Sequence, residues 1–301
     1  MKKLFIIFIV FILSNLNCYA ITNDTDKAQI KSLLGSINKY SNEHNIDKLK
    51  PYYSKDYLSY DGFNYDAFFV SVKETFKTYP DISYKSKIKS INVSGDFAAV
   101  EMADTSTSTR QTLTQSIVEN KPVLNQKLNG LMKSKCHYIV YLKKTKGKWQ
   151  IYSDNIITEE TAIRYGKAQE IDMDIVSPQI AKEGEEYCIG LDVAKKPKDS
   201  FILASLSREE IKYPPKIPAD AFRKMPSKGM LERIVIANKK GMNEYSLASV
   251  GITTISLNKE KTAINYQMSG IAFLMKRVNV YAKKNTVDKE YIDKMLNKEP
   301  L

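Results

Sequence analysis

The side chains that could transfer protons near neutral pH lie in the first half of the chain. His44 and His137 are the only histidines, and histidine has the ordinary side-chain pKa closest to neutrality. Tyr40 precedes His44 by about one helical turn, and Tyr141 follows His137 at a spacing that places both on one face of a strand. These pairs would suit acid–base chemistry.

Two acidic side chains could supply a base beside these groups. Asp61 stands in an Asp61-Gly62 turn, and Asp154 stands near the end of a strand-like segment. Asp61 therefore joins Tyr40 and the two histidines as a catalytic candidate, although no motif identifies any of them. The competing interpretation is structural, because a histidine or tyrosine on an apolar face is usually a hydrogen-bonded core residue.

The sequence lacks the motifs that bind metals through soft ligands. It has no CxxC, no HExxH and no cluster of cysteine with histidine, so we expect neither a zinc site nor a cofactor. Of the three cysteines, Cys18 lies in the leader discussed next. Cys136 and Cys188 would either form one disulfide in an oxidising compartment or remain two separate, half-buried thiols.

The first 20 residues have the pattern of a cleaved export signal. Lys2 and Lys3 give a positive start, residues 4–13 are apolar throughout, and Cys18 and Ala20 provide small side chains for a cut after Ala20. The apolar stretch is too short to span a bilayer comfortably. An uncleaved anchor helix and lipid attachment at Cys18 are the alternatives. The pattern predicts a periplasmic or secreted protein.

Composition indicates a globular, basic protein. Of its 301 residues 43% are hydrophobic and 27% are charged, and removal of Lys2 and Lys3 with the leader would lower the formal net charge from +12 to +10. A basic exported protein is attracted to anionic envelope components, while scattered lysines also fit a merely soluble surface. Nucleic acid is not expected as a partner in that compartment.

Apolar periodicity over residues 21–160 predicts helices first and strands afterwards. Helical spacing covers residues 26–44, 46–53 and 65–79, where Pro80 ends the third helix. Strands are predicted around residues 82–89, 97–102, 137–142 and 149–156. This order predicts an α+β domain in which a curved antiparallel sheet wraps around helices.

Five short segments of this domain occur in a characteristic order. They are Asn45-Ile46-Asp47-Lys48-Leu49, Tyr52-Tyr53-Ser54-Lys55-Asp56-Tyr57, Asp61-Gly62 before a helix, Gly95-Asp96-Phe97-Ala98-Ala99-Val100 and Gly147-Lys148-Trp149-Gln150-Ile151. In order and spacing they resemble the SnoaL-like, nuclear-transport-factor-2-like superfamily, over nearly all of the first domain.

The resemblance implies a cone of sheet closed by helices, with a pocket at its wide end. Members include isomerases, cyclases and dehydratases as well as proteins that only bind or scaffold, and many dimerise through the open sheet face. The resemblance implies that Trp149 is a packing residue. The residues expected to line the pocket are Tyr40, His44, Tyr60, Phe69, His137 and Tyr141. Residues 105–135 form an insertion, read either as a long hairpin or as a flap over the pocket.

A second domain is predicted over residues 168–285, after a short helical link at residues 161–167. Several short strands separated by turn signals predict an immunoglobulin-like all-β sandwich. Residues 209–230 contain several prolines and are expected to form a surface loop, which is either a contact site or an inert connection. Residues 286–301 are interpreted as a charged C-terminal tail.

Three functions remain open from the sequence. The leading hypothesis is an exported, non-catalytic protein whose cone binds a small apolar ligand or a protein partner, while the sandwich mediates assembly. The second is an acid–base enzyme of the isomerase or dehydratase type, and the third is adhesion of lysines to anionic envelope surfaces.

Overall fold

The structure, a computed structural model, describes residues 24–112, 117–118, 121–122, 127–194, 200–212, 223–226, 229–257 and 264–281. The predicted leader and the predicted C-terminal tail lie outside these residues, as do parts of the insertion and of the proline-rich loop. The chain divides into two compact units, Met1–Thr161 and Ala162–Leu301. It is rich in sheet and has few helices. No helix in the described ranges is long and apolar enough to cross a membrane.

Among the described residues, the α-helices lie in the first unit. They are α1 (24–42), α2 (Ile46–Leu49) with a following 3-10 turn (Lys50–Tyr52), and α3 (Tyr65–Thr78). The side chain of Asn45 accepts a hydrogen bond from the backbone N–H of Lys48 at the start of α2, and Asn64 does the same for Ala67 in α3. These asparagine caps satisfy donors that an α-helix leaves unpaired at its first turn.

The main sheet of the first unit has the order β1-β2-β5-β6. Its strands are β1 (Ser83–Ser94), β2 (Phe97–Thr112), β5 (Lys127–Thr145) and β6 (Lys148–Gly166), and a separate pair consists of β3 (Ile117–Val118) and β4 (Lys121–Pro122). β2 pairs with β5 in antiparallel register from Phe97 and Lys143 out to Thr112 and Lys127. Of the two interpretations of the insertion, the described residues therefore fit the long hairpin.

One hydrophobic core joins the helices to the inner face of this sheet. The inner face follows strict alternation, since Val100 and Met102 of β2 and Val140 and Leu142 of β5 are buried. The helices and the segment before α3 contribute buried residues to this core, namely Ile30, Leu33, Leu34, Leu49, Tyr57 and Phe69, and β6 contributes Trp149 and Ile151. Lys85 and Lys87 of β1 are exposed.

The second unit contains two groups of strands that share one hydrophobic core. One group is the sheet β12-β9-β7, and the other has the order β14-β13-β10-β11 with β8 parallel to β14. The strands are β7 (Met173–Val176), β8 (Ile180–Lys182), β9 (Glu186–Val193), β10 (Ser200–Glu210), β11 (Arg223–Lys224), β12 (Leu231–Ile236), β13 (Glu244–Leu257) and β14 (Ile264–Tyr281).

The predicted helical link at residues 161–167 is wrong. β6 continues to Gly166, and only a 3-10 turn (Lys167–Gln169) follows. Gly166 has φ 53° and ψ −136°, a conformation open almost exclusively to glycine. A Cβ there would also collide with the backbone carbonyl of Ser269. The chain therefore turns at this glycine instead of beginning a helix.

Candidate functional site

The segment after the 3-10 turn is attached to strand β6 by backbone hydrogen bonds and places Tyr57 against that strand. The backbone N–H of Ser54 donates to the carbonyl of Ile151 at 2.8 Å, and that of Tyr60 donates to the carbonyl of Asp154 at 2.8 Å. Tyr57 lies between these two attachments, and its hydroxyl donates to Oδ2 of Asp154 at 2.8 Å. Because the segment is fixed at both ends, the phenol of Tyr57 is held on this carboxylate.

A second tyrosine–aspartate pair lies on the inner face of the sheet. The register places Met102 opposite Tyr138 and Asp104 opposite Cys136, so Tyr138 and Asp104 are diagonal neighbours on adjacent strands. The hydroxyl of Tyr138 donates to Oδ2 of Asp104 at 2.7 Å. Both side chains face the helices, because they share the alternation that buries Met102.

Electrostatics join the two pairs into one cluster through Tyr53. Burial raises the pKa of Tyr53, and the negative charges of Asp154 and Asp104 raise it further. Both carboxylates therefore act on one phenol. We refer to Tyr53, Tyr57, Tyr138, Asp104 and Asp154 as the tyrosine–aspartate cluster.

Burial makes the protonated form of these groups the favoured one. It is the main cause that raises the pKa of Tyr57 and of Tyr138, and the partner carboxylates add to it. Burial together with Asp104 raises the pKa of neighbouring Tyr84 to about 12. All of these tyrosines therefore remain hydrogen-bond donors at physiological pH.

Asp104 is a cluster carboxyl whose pKa is raised. Burial raises its pKa above the usual value, although the hydroxyls of Tyr138 and Ser86 oppose that effect. Its Oδ1 is buried and has no hydrogen-bond partner among the described residues. A buried carboxyl of this kind can bind a donor from a ligand or exchange a proton with it.

Aromatic rings form the apolar side of the cluster. The ring of Tyr53 lies 4.9 Å from that of Phe68 and 5.3 Å from that of Phe69, between centroids. Tyr57 lies 5.0 Å from Phe68. Phe69, which the sequence predicted as a pocket residue, is thus in contact with the cluster, and the rings offer apolar surface beside the polar groups.

His44 contacts residues outside the tyrosine–aspartate cluster. Its Nε2–H donates to the backbone carbonyl of Ile82 at 2.9 Å, and its ring stacks on Phe76 with centroids 4.5 Å apart. His44 also has a positive φ of 52°, because the chain turns there after α1. Tyr40 lies near the ring of Tyr52, 6.1 Å between centroids. Neither residue belongs to the tyrosine–aspartate cluster.

His137 and Tyr141 lie on the sheet face that points away from the helices. Strand alternation turns Tyr138 inward and therefore turns His137 outward, where its Nε2 lies 2.8 Å from Oε1 of Glu101. This contact is the main cause that lowers the pKa of Glu101. Tyr141 lies 6.4 Å from the ring of Tyr152, between centroids. His137 and Tyr141 lie on one face of the strand, as the sequence predicts, but this face is not the one that holds the cluster.

Two further predicted residues lie before α3. Tyr60 is 71% exposed and does not line an interior site. Asp61 lies in a turn with Gly62 at φ 84°, and its charge is a minor cause that raises the pKa of Tyr57. Sequence reasoning missed Asp104, although its place in the alternation Met102, Asp104, Ser106 was a usable signal for an inward carboxyl.

Cys136 and Cys188 are thiols and do not form a disulfide. Cys136 is half-buried on the inner face of β5, next to Asp104 in the register, whereas Cys188 is exposed on β9. This is the second of the two alternatives for Cys136, while Cys188 is more exposed than expected. Within the described ranges, no group of three or more histidine, cysteine or acidic side chains could hold a metal ion.

No protein-family model and no curated protein matches the chain. Solved structures match part of it. An NTF-2 like protein of unknown function from Shewanella oneidensis is 17% identical over 44% of this chain and 98% of that chain, with a TM-score of 0.30. A proposed dehydratase of the NTF2-like family from Streptomyces avermitilis is 13% identical over 44% and 94%, with a TM-score of 0.30. A protein from Nostoc punctiforme with a cystatin-like fold is 14% identical over 44% and 90%, with a TM-score of 0.32.

The first domain is built as the sequence resemblance to NTF2/SnoaL-like proteins leads one to expect. Its helices come first and pack on the inner face of a long antiparallel sheet, in the order that the sequence resemblance implies. The solved structures leave more than half of the chain unmatched, and at these identities and TM-scores they carry no argument about activity.

Proposed function

We propose that this is an exported, non-catalytic binding protein whose first domain takes a small, largely apolar ligand at the tyrosine–aspartate cluster. The observation that carries the proposal is Oδ1 of Asp104, a buried acceptor with no partner among the described residues. Such an acceptor costs folding free energy, and a ligand hydroxyl or amine that donates to it would recover part of that cost. The rings of Tyr53, Phe68 and Phe69 supply apolar surface for the rest of the ligand.

The test is recovery of a small molecule with the purified protein. We expect solvent extraction and mass spectrometry of the wild type to yield one compound, in an amount approaching that of the protein. Asp104→Leu should lose it, because the acceptor is gone. Glu101→Gln, on the opposite face of the same strand, should retain it. The proposal is contradicted if both variants yield equal amounts of the compound, or if no compound is recovered from the wild type.

A second candidate function is acid–base catalysis, and the raised pKa of Asp104 favours it. A carboxyl that titrates closer to neutrality can both give and accept a proton, and Tyr138 holds it in place. This candidate uses Asp104 and not the two histidines, which bind Ile82 and Glu101. If the extracted compound exchanges a carbon-bound proton for deuterium only in the presence of wild-type protein, and Asp104→Asn abolishes exchange, the protein is an enzyme. Absence of exchange supports binding alone.

Export is part of the proposal and rests on the leader pattern of residues 1–20. The intact mass of the protein recovered outside the cytoplasm should correspond to a chain that begins at Ile21. A chain that keeps Met1, or one that carries a lipid on Cys18, would favour the anchored alternatives.

For the second domain we propose an immunoglobulin-like sandwich that mediates assembly. Two observations support it: two groups of strands share one core, and among the described strands every pairing within these groups is antiparallel except that of the short β8 with β14. Isolated expression of residues 162–301 should give a cooperatively folding β protein. A chain that stays unfolded would argue against an independent sandwich.

A further inference from the structure

The outward face of the β12-β9-β7 sheet exposes aliphatic side chains in a group. Ile234 and Ile236 of β12 are 68% and 51% exposed, and Val176 of β7 is 47% exposed. Cys188 of β9 lies directly opposite Ile234 and is exposed as well. Soluble proteins seldom leave neighbouring aliphatic side chains exposed on one face unless that face binds something.

Gly190 allows this apolar surface to continue across the sheet. It is paired with Val176 on one side and with Glu232 on the other. A Cβ at Gly190 would lie 2.7 Å from Sδ of Met230 and 3.6 Å from Cβ of Val176. Met230 therefore lies across the glycine and fills the space beside Val176. We call Val176, Cys188, Met230, Ile234 and Ile236 the outer apolar strip.

Acidic side chains border the strip at both ends. Glu186 is paired with Ile236 at one end, and Asp174 is paired with Asp192 at the other, beyond Glu232. All four carboxylates are exposed, and none forms an ion pair with any residue that the structure describes. Like charges directly opposite one another on a sheet are destabilising, so the pair Asp174 and Asp192 would gain from a cation between them.

The outward positions of these three strands hold no lysine or arginine among the described residues, although the whole chain has a formal net charge of +12. A second copy placed face to face would oppose four carboxylates to four, and an anionic membrane surface would repel them. The charge pattern therefore favours a cationic binding partner, and the aliphatic centre of the strip favours a partner with apolar side chains.

We propose that the outer apolar strip docks a protein segment whose aliphatic side chains are bordered by lysine or arginine. Apolar contact provides affinity at the centre, and opposite charge at the border provides orientation and selectivity. The site lies in the second domain, so it rests on the assembly role proposed for that domain and names a surface and a partner chemistry for it, and it does not depend on a ligand in the cone.

The experiment uses two synthetic amphipathic peptides with identical leucine positions, one with lysine and one with glutamate at every polar position. Calorimetry on the unlabelled full chain should give saturable binding of the lysine peptide and none of the glutamate peptide. Binding should weaken at least tenfold in Ile234→Ser and in the pair Asp174→Asn with Glu232→Gln. Phe273→Ser, an exposed apolar position of β14 in the other group of strands, is the matched control and should bind as the wild type does.

A dye attached to Cys188 shows whether the peptide binds at the outer apolar strip. In the full chain with Cys18→Ser and Cys136→Ser, Cys188 is the only thiol, and an environment-sensitive dye on it should shift to shorter wavelength only with the lysine peptide. Ile234→Ser is exposed, so its circular dichroism and unfolding temperature should match the wild type and show that lost binding is not lost folding. Equal binding of both peptides, unchanged binding by Ile234→Ser, or a dye shift produced by anionic vesicles or by protein concentration alone overturns the proposal.

Discussion

The hydroxyl of Tyr138 donates a 2.7 Å hydrogen bond to Oδ2 of Asp104, while Oδ1 of the same carboxyl has no partner among the described residues. Burial raises the pKa of this carboxyl, so the folded chain holds its proton to a higher pH than the unfolded chain does. Protonation of Asp104 therefore favours the folded state.

Asp104→Asn should change the pH dependence of stability. In the wild type the free energy of unfolding should fall as pH rises from about 4, the ordinary aspartate range, through the raised pKa of the folded state, because the unfolded chain releases the proton first. Asparagine cannot ionise and still accepts from Tyr138, so the variant should lack this fall. Urea unfolding at a series of pH values measures it. Asp56→Asn, at an exposed position, should keep the wild-type slope, and identical slopes for wild type and Asp104→Asn would contradict the argument.

Tyr138→Phe should destabilise the first domain by about 1–3 kcal/mol at neutral pH, because it removes the 2.7 Å hydrogen bond to the partly buried carboxyl of Asp104. The same loss should raise the pKa of Asp104 further, since the hydroxyl of Tyr138 favours the charged form. Two-dimensional carbonyl NMR of labelled aspartate can follow that titration. Tyr141→Phe, on the same strand but the opposite face, is the control and should leave the Asp104 titration unchanged.

The first domain could be predicted well from its sequence because its signals are local. The apolar spacing of Ile30, Leu33 and Leu34 gives a helix whatever surrounds it, and Pro80 stops α3 at a definite place. Alternation in β1 and β2 gave the strands and their inner faces. The prediction of a helical link at residues 161–167 failed because Gly166 lies against Ser269, which is far away in the sequence, and no local pattern reveals such a contact.

The candidate site was harder to predict because it depends on strand register. His137 and Tyr138 are neighbours in sequence but lie on opposite faces, and only the pairing of β2 with β5 decides which of them meets the helices. Judged by residue type alone, His137 was the better candidate for the site, whereas the strand register places Tyr138 and Asp104 there. His44 has the right chemistry as well, but the carbonyl of Ile82 occupies its Nε2.

Asp26→Ala should destabilise the first domain by about 2 kcal/mol at neutral pH, because Oδ1 of Asp26 accepts from Nζ of Lys144 at 2.6 Å and from Nε1 of Trp149 at 3.1 Å. The bond from Lys144 is the main cause that lowers the pKa of Asp26, and burial works against it. A lowered carboxyl pKa stabilises above the ordinary pKa, and that stability is lost as pH falls through the folded-state value. The difference from the wild type should therefore shrink in acid.

Fluorescence of Trp149, the only tryptophan, can follow that unfolding directly. Asp24→Ala, at an exposed position in the same helix, should cost much less. A cost for Asp26→Ala that does not shrink in acid would show that its charge is not what stabilises the contact.

Glu244→Ala should destabilise the second domain by about 1–3 kcal/mol, since the buried side chains of Asn238 and Tyr187 lose their acceptor, whereas Arg208 is 31% exposed and can be solvated. The side chain of Glu244 is fully buried and accepts from Nη1 of Arg208 at 2.8 Å, from Nδ2 of Asn238 at 3.0 Å and from the hydroxyl of Tyr187 at 3.1 Å. Glu244→Gln should cost less because an amide oxygen still accepts. Differential scanning calorimetry gives both values, with exposed Glu170→Ala as the control, and a Glu244→Ala cost as small as that of Glu170→Ala would mean that the network adds nothing.

Gly166→Ala and Gly95→Ala compare a glycine that lies against neighbouring backbone with one in open space. Both glycines have positive φ, 53° and 57°, so a side chain at either position strains the backbone by at least about 1–2 kcal/mol, and Gly166, with ψ −136°, has a conformation that other residues rarely adopt. A Cβ at Gly95 meets nothing within 4 Å, whereas one at Gly166 collides with the carbonyl of Ser269 on β14. Gly166→Ala should therefore cost at least about 2 kcal/mol more than Gly95→Ala, because backbone and not a flexible side chain has to move. Urea unfolding of the two variants measures the difference, and equal costs would mean that the turn at the end of β6 is looser than the contact with Ser269 requires.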